Sequence, residues 1–271
     1  YIAETNRVTR YNYVYLLTYP VTFKISSPQV LVPDLPSNGG HFTRTLGFGP
    51  DGKMYVSVGS SGNVVEEKDP RRAAILQFND DGTGGRIYAK GLRNAVGFTW
   101  HPITKEMWAT ENGRDRLGDD LPPDEINIVG DGGDYGWPYA YGNRIPDPAF
   151  NDPKRVAKTL PPKIEIQAHS APLGLRFYDA DSFGPEYKDD LFVAFHGSWN
   201  RTVPTGYKVV RYHLKGKRKD EVEFQTDFIT GWLTPQGALG RPVDIIVGAD
   251  KALYISDDKA GTIYRVSKIK K

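Results

Sequence analysis

The chain of 271 residues carries 35 Lys and Arg against 33 Asp and Glu, which gives a formal net charge of +2. This balance provides no overall field for nucleic acid or for an anionic membrane surface. Cysteine is absent, which excludes disulfides, thiolate zinc sites and a cysteine nucleophile. No apolar run approaches the roughly 18 residues of a membrane helix. We therefore expect neither a nucleic-acid partner nor a membrane span.

The composition favours an all-β protein. Glycine occurs 29 times, proline 20 times and tyrosine 16 times. Such a chain is typical of many short strands joined by turns.

Four segments repeat one pattern, in which an apolar strand, a turn, a second strand and a third strand follow each other. The segments are residues 43–82, 95–129, 173–214 and 243–268. Apolar residues alternate within them, which predicts half-buried antiparallel strands. Units of this length predict the blades of a β-propeller. Residues 143–166 and 215–239 are polar or proline-containing and are predicted as loops.

The N-terminal residues 1–13 look like the second half of a further unit. The chain is therefore predicted to begin inside a blade. We expect residues 1–271 to form a single propeller domain that is incomplete at its N-terminus.

Polar residues stand at the entry to each repeated unit. His41 precedes the first, Arg93 and Asn94 precede the second, His169 precedes the third and Arg241 precedes the fourth. In a propeller, the loops at one end of the central channel meet, so these side chains are predicted to lie together.

Each of these residues has a functional and a structural interpretation. Glycines before His41 leave room for a substrate, which favours a general base over a histidine that only caps a strand. Arg93 and Arg241 form either salt bridges between blades or a clamp for a ligand carboxylate, a group that arginine binds with two parallel hydrogen bonds.

A loop rich in oxygen ligands follows the second strand of the second unit. Its residues are Glu111, Asn112, Asp115, Asp119, Asp120, Asp124 and Glu125. Carbonyls at an irregular turn beside carboxylates suit Ca²⁺ better than octahedral Mg²⁺. A solvated acidic turn is the alternative.

Aromatic residues are candidates for stacking. Trp137 and Trp199 lie in glycine-containing loops and suit either loop packing or stacking on a flat ring or a sugar face. The segment that holds Trp199 begins at His196 and continues to Arg201, and it is expected to face the channel.

Taken together, these motifs resemble the glucose/sorbosone dehydrogenase family of quinoproteins, nearest to its sorbosone dehydrogenase-like and aldose sugar dehydrogenase branches. The resemblance is carried by GGHFTRTLGFGPDGKMYVSVG, GLRNAVGF, WATENGRDRLGDD, GGDYGWPYAYG, HSAPLGLRFY, FHGSWNR and GRPVDIIVG, in this order. It implies a six-bladed propeller that lacks, in this chain, the first blade and part of the second. It also implies pyrroloquinoline quinone (PQQ) and Ca²⁺ as cofactors.

The resemblance further implies oxidation of a sugar, either an aldose or a sorbosone-like compound, by hydride transfer to the quinone. Electrons would pass to an external acceptor, a cytochrome or a quinone. The family's members suggest a periplasmic or extracellular location.

The resemblance assigns roles to several residues. His41 would be the base and Arg93 the cation beside the reacting quinone carbonyl. Asn94 and Arg241 would hold the cofactor. The metal ligands would come from the turn of Asn112, Gly113 and Arg114, with Asp124 nearby.

The chain departs from the family's pattern at three places. Ala95 and Val96 stand where the family usually has Pro and often Gln. The family's cofactor-binding lysine has no clear counterpart, and His196 or Arg201 would serve in its place, while Trp199 is a further predicted cofactor contact. The missing N-terminal blade is the third departure.

Two other functions stay open at this point. A Ca²⁺-dependent propeller lactonase would use Glu111, Asn112 and Asp124 around the metal. A non-catalytic propeller would bind carbohydrate or protein through its loops.

Overall fold

The protein is described by a computed structural model that covers residues 1–16 and 22–268. Five antiparallel sheets of three or four strands follow one another along these residues. Each sheet is one blade, so the all-β prediction and the repeated blades are confirmed. The six-bladed ring and the missing blade stay predictions.

The strands of the first two blades come from the N-terminal third of the chain. In the first, β1 (Ile2–Glu4) and β2 (Arg7–Arg10) are followed by a hairpin of β3 (Tyr13–Leu16) and β4 (Thr22–Ile25), and β5 (Gln29–Val32) then pairs with β2. The second blade is β6 (Leu46–Phe48), β7 (Met54–Val58), β8 (Ala74–Phe78) and β9 (Arg86–Lys90).

The third blade contains an insertion between its last two strands. Its elements are β10 (Phe98–Trp100), β11 (Met107–Glu111), β12 (Asp124–Val129), the hairpin β13 (Ala140–Tyr141) and β14 (Ile145–Pro146), α1 (Pro153–Val156) and β15 (Ile164–Ile166). Strand β15 pairs with β12 and completes the blade.

The last two blades occupy the C-terminal part. The fourth has β16 (Pro172–Phe177), a 3₁₀ turn at Pro185–Tyr187, β17 (Leu191–Phe195), β18 (Lys208–Lys215) and β19 (Glu221–Ile229). A hairpin of β20 (Leu233–Thr234) and β21 (Gly237–Ala238) leads to the fifth, which has β22 (Pro242–Val247), β23 (Leu253–Asp257) and β24 (Thr262–Val266).

The core lies between neighbouring blades, because each second strand sends alternate side chains to opposite faces. In β11, Trp108 packs with Leu191 of the fourth blade, whereas Met107 and Ala109 pack with Tyr55 of the second. Trp108 is fully buried, so its removal is expected to cost about 3–5 kcal/mol. This packing fixes the angle between neighbouring blades and therefore the relative positions of the loops that leave them.

The loop prediction for residues 215–239 is wrong over Glu221–Ile229, which is the fourth strand of its blade. Most of its residues are exposed. An outer strand buries only part of one face, so its sequence is polar and lacks the alternation of inner strands. The loop prediction for residues 143–166 is also wrong over Ile164–Ile166, a strand of three residues that is too short for its alternation to stand out from the polar segment around it. No helix among the described residues is long and apolar enough to cross a membrane.

Candidate functional site

A polar cavity of about 150 Å³ lies where loops of the second, third and fourth blades meet. It is lined by His41, Arg93, Asn94, Asn112, Gly113, Asp115, Asp124, His169, Ala171, Trp199 and Asn200. These residues come from the segments before β6, β10 and β16 and from those after β11 and β17. The structure therefore brings seven of the predicted site residues into one place.

His41 is held by a single neighbour. Its Nδ1 lies 2.9 Å from the hydroxyl oxygen and 3.1 Å from the carbonyl oxygen of Ser60. The Ser60 hydroxyl donates its own proton to the Gly62 carbonyl at 2.7 Å. Because that proton is committed, the hydroxyl accepts from the imidazole, and Nδ1 carries the ring proton. The lone pair is then on Nε2.

The pKa of the His41 imidazole is lowered to about 4. Burial is the main cause, and the positive charges of Arg93, Arg72 and Arg44 act in the same direction. The imidazole is therefore neutral at pH 7. A neutral histidine with a fixed tautomer can accept a proton at Nε2.

Two of these arginines place positive charge beside His41 without a direct carboxylate partner. Arg44 donates to the carbonyls of His41 and Thr43, and Arg72 donates to the Gly59 carbonyl at 3.2 Å. Within residues 1–16 and 22–268, neither forms an ion pair within 4.0 Å. The Nε of Arg44 is buried and has no hydrogen-bond partner. Such a region favours an anionic ligand.

Burial and the charge of Arg72 lower the pKa of Arg44 to about 10. Because the two guanidinium groups repel each other, an anion placed near them lowers the electrostatic energy of both.

Arg93 is buried below the cavity, with 5% of its surface exposed. Its Nε donates to the Asn63 carbonyl at 2.9 Å, and Nη1 donates to the carbonyls of Asn112 and Gly113 at 3.1 and 3.0 Å. Its Nη2 bonds to the Asn63 amide oxygen at 3.0 Å and to Asp115 at 3.3 Å. The guanidinium therefore links two loops and presents its charge to the cavity floor.

Three of the four predicted metal ligands, Asn112, Gly113 and Asp124, are already engaged with protein donors. The carbonyls of Asn112 and Gly113 accept from Arg93, which is itself a cation. The Asp124 carboxylate accepts from the backbone N–H groups of Gly113 at 2.9 Å and Ala171 at 2.8 Å. Burial raises the pKa of Asp124 to about 6. In the part of the chain that the structure describes, no three His, Asp or Glu side chains form a metal-binding group.

Two further carboxylates lie beneath the cavity. Glu111 and Glu125 face each other across β11 and β12. One Glu111 oxygen accepts from the Asn94 N–H at 3.0 Å, while the other is buried without a partner. Burial raises the pKa of Glu111 well above its usual value and that of Glu125 to about 7. Both line a further cavity of about 20 Å³, which shares Arg93 and Gly113 with the first. Glu111 does not line the first cavity beside Asn112 and Asp124, the arrangement expected of a lactonase site.

Two of the predicted site residues, Arg114 and Arg201, each connect two loops through hydrogen bonds. Arg114 forms a buried ion pair with Asp147, with Nη1 at 2.7 and 3.0 Å from the two carboxylate oxygens. Arg201 donates to the Asp119 carbonyl and pairs with Asp120 at 2.9 Å. Neither Arg114 nor Arg201 lines the polar cavity of about 150 Å³.

His196 and Arg241 also lie outside its lining. The Nε2 of His196 is 2.9 Å from a carboxylate oxygen of Asp258. Arg241 donates to the His196 carbonyl at 3.0 Å and to the Gly197 carbonyl. In this arrangement Arg241 supports the loop that carries Trp199 and does not contact the cavity.

Sequence reasoning missed Ser60 and Asn63, which hold His41 and Arg93. The Asn63 side-chain oxygen also accepts from the Asp115 N–H at 2.7 Å. Both residues belong to Ser-Ser-Gly-Asn, directly after β7. They could have been found from their position, because they follow the second strand of their blade just as Asn112 follows β11, the second strand of the next blade.

The fold and the site define a β-propeller with a cationic pocket at the meeting point of its loops. The family model described as Glucose / Sorbosone dehydrogenase matches residues 4–265. The chain belongs to the glucose/sorbosone dehydrogenase family, and membership in this family supports an oxidoreductase.

Among curated proteins, an uncharacterised protein of Borreliella burgdorferi is 40% identical over 79% of this chain and 57% of its own length. The aldose sugar dehydrogenase YliI of Escherichia coli is 27% identical over 85% of this chain and 61% of its own. The PQQ-dependent pyranose dehydrogenase of Coprinopsis cinerea is 26% identical over 92% of this chain and 42% of its own. The chain thus spans about half the length of these relatives.

Solved structures show the same fold. The holo form of the PQQ domain of the Coprinopsis cinerea pyranose dehydrogenase superposes with a TM-score of 0.75 at 23% identity, covering 98% of this chain and 78% of that one. The PQQ-bound aldose sugar dehydrogenase of Streptomyces coelicolor gives 0.65 at 22% identity, with 98% and 72% covered. These neighbours are propeller-type proteins, which supports the fold.

Proposed function

We propose that this protein oxidises a sugar by transferring a hydride to bound PQQ and passes the two electrons to an external acceptor. The positive charge of Arg93, Arg72 and Arg44 around His41 carries this proposal. A neutral imidazole beside three arginines suits both a proton acceptor and a polyanionic cofactor.

The cavity's donor set fits a quinone that bears carboxylates. Arg93 supplies charge at the floor, the Asn94 side chain and the Asn200 amide oxygen offer hydrogen-bonding groups, and Arg44 adds charge behind His41. Arg93 and Asn94 are the residues that would hold the quinone. When bound, PQQ supplies the carbonyl group that accepts the hydride.

His41 takes the proton of the sugar hydroxyl at Nε2. Ser60 keeps Nδ1 protonated during this transfer and stabilises the positive charge that develops on the ring. Arg93 is fixed before substrate arrives, so its charge requires no reorganisation as negative charge develops near it.

Ca²⁺ does not fit the residues in this arrangement. The Asn112 and Gly113 carbonyls are bonded to Arg93, and the Asp124 oxygens are bonded to two backbone N–H groups. Ca²⁺ therefore stays a prediction from the resemblance. The cytochrome or quinone acceptor and the periplasmic or extracellular location are also predictions from the resemblance.

The proposal is tested with the purified protein and PQQ. Titration of PQQ, followed by its absorbance and by calorimetry, should give saturable binding, and the complex should reduce a redox dye with aldoses. Quinone that fails to bind at millimolar concentration contradicts the proposal. Hydrolysis of lactones without quinone would assign the lactonase function instead.

A further inference from the structure

Trp199 differs from every other tryptophan of the chain in its exposure. Its side chain is 73% exposed, whereas Trp108, Trp137 and Trp232 are between 0% and 8% exposed and Trp100 is half-buried. Among the described residues, no hydrogen bond or ring contact involves its indole. A large apolar ring at the edge of a polar cavity gains free energy when a ligand covers it, at about 25 cal/mol per Å².

The loop that carries Trp199 is fixed on both sides of it. Before Trp199, the Ser198 N–H donates to the Thr205 carbonyl at 2.9 Å. After it, the Asn200 amide donates to Asp115 at 2.7 Å, and the Thr202 N–H donates to Asp119 at 3.0 Å. The indole is therefore held at the rim by a preorganised loop, which lowers the entropy cost of binding.

The surroundings of Trp199 suit a sugar ring. A pyranose has an apolar face of C–H groups and a polar edge of hydroxyls. The indole offers the apolar surface, and the Asn200 amide beside it offers a hydrogen-bonding group. The arginines that suit an anionic quinone are those whose charges act on His41, whereas Trp199 carries no charge.

We infer that Trp199 is a substrate-binding platform on which a pyranose ring stacks, so that the substrate is a sugar in its cyclic form and not an acyclic polyol. This inference rests on the proposed function and moves Trp199 from the predicted cofactor contacts to the substrate contacts. It also assigns to Arg241 the support of the platform, through the His196 and Gly197 carbonyls.

Fluorescence tests this assignment without turnover. Acrylamide should quench mainly Trp199, because the other indoles are buried or half-buried. Glucose should protect this emission, and sorbitol, its acyclic counterpart, should not. The Trp199→Phe variant should lose the quenchable component. Equal protection by both compounds, or protection by neither, overturns the inference.

Kinetics of the PQQ-loaded protein give the second readout. Trp199→Ala should raise KM for an aldopyranose about 10-fold and change kcat less than about twofold, since loss of one stacked ring corresponds to about 1.4 kcal/mol. Trp199→Phe should recover most of this loss. Ile263→Ala, which removes an equally exposed apolar side chain on β24, is the control and should leave KM unchanged.

The two proposals fail in different ways. If glucose protects Trp199 but no dye is reduced, the dehydrogenase function is wrong and the sugar site stands. If Trp199→Ala weakens PQQ binding and leaves the sugar KM unchanged, Trp199 binds the cofactor and the inference is wrong.

Discussion

The cavity has two walls that are built differently. On the side of His41 and Arg93, the guanidinium is buried, the imidazole is half-buried, and both are bonded to protein partners. On the side of Trp199, the loop backbone is fixed but the side chain faces water. Groups that must keep one protonation state and one orientation benefit from burial, whereas a group that recognises a ligand gains from surface that is still free to be covered.

The largest effect on activity is expected for His41→Ala, which changes the wall that holds the general base. Loss of the general base should lower kcat by about 10³-fold, because positioned acid–base groups contribute 10²–10⁴-fold. PQQ affinity should change little. Stopped-flow reduction of the bound quinone measures the step, and His213→Ala on β18 serves as the control. If the loss appears only in KM, His41 is a binding residue and not the base.

The second test concerns Arg93. Arg93→Ala leaves two loops without their shared donor and Asp115 without its cation, so unfolding should become easier by about 3 kcal/mol. Urea denaturation measures this change. The exposed pair of Arg86 and Asp131, at 2.5 Å, provides a matched comparison, and Arg86→Ala should cost less than about 1 kcal/mol. Equal losses would show that burial of Arg93 is unimportant.

The third test uses pH. Burial raises the folded pKa of Glu111 above the ordinary value of 4.5, so the folded state binds more protons than the unfolded chain above pH 4.5. Its contribution to stability is complete below this pH and is lost as pH rises through the folded pKa. Glu111→Gln should reduce the fall of stability between pH 5 and 7 by up to about 1.4 kcal/mol per pH unit. An unchanged slope would mean that Glu111 is ionised in the folded protein.

The smallest expected effect is that of Ca²⁺ on the protein without quinone. Because Arg93 already bonds the Asn112 and Gly113 carbonyls, millimolar Ca²⁺ should shift Tm by less than about 2 °C, which corresponds to less than about 1 kcal/mol. Scanning calorimetry with Ca²⁺ and with EDTA measures the shift. An increase in Tm of several degrees would show that Ca²⁺ displaces Arg93 from the carbonyls of Asn112 and Gly113.

The sequence predicted the inner strands and most of the cavity because both depend on local pattern. Apolar residues marked inner strands such as Met54–Val58, which is buried throughout and not half-buried, and polar residues at strand entries marked His41 and Arg93. The outer strand Glu221–Ile229 was missed because it buries little apolar surface. The positions of Arg201 and Arg241 could not be read from the sequence, since long side chains bind whichever carbonyl or carboxylate the neighbouring loops bring close.

The turn from Ser60 to Asn63 connects the proton acceptor to the cation. Ser60 orients His41, and three residues later Asn63 fixes Arg93. One short backbone segment therefore positions both side chains. A protein engineer who wants a different substrate should leave this turn intact and vary the loop of residues 198–203. A change of length there alters the rim, whereas an insertion between Ser60 and Asn63 would displace the base and the charge in the same step.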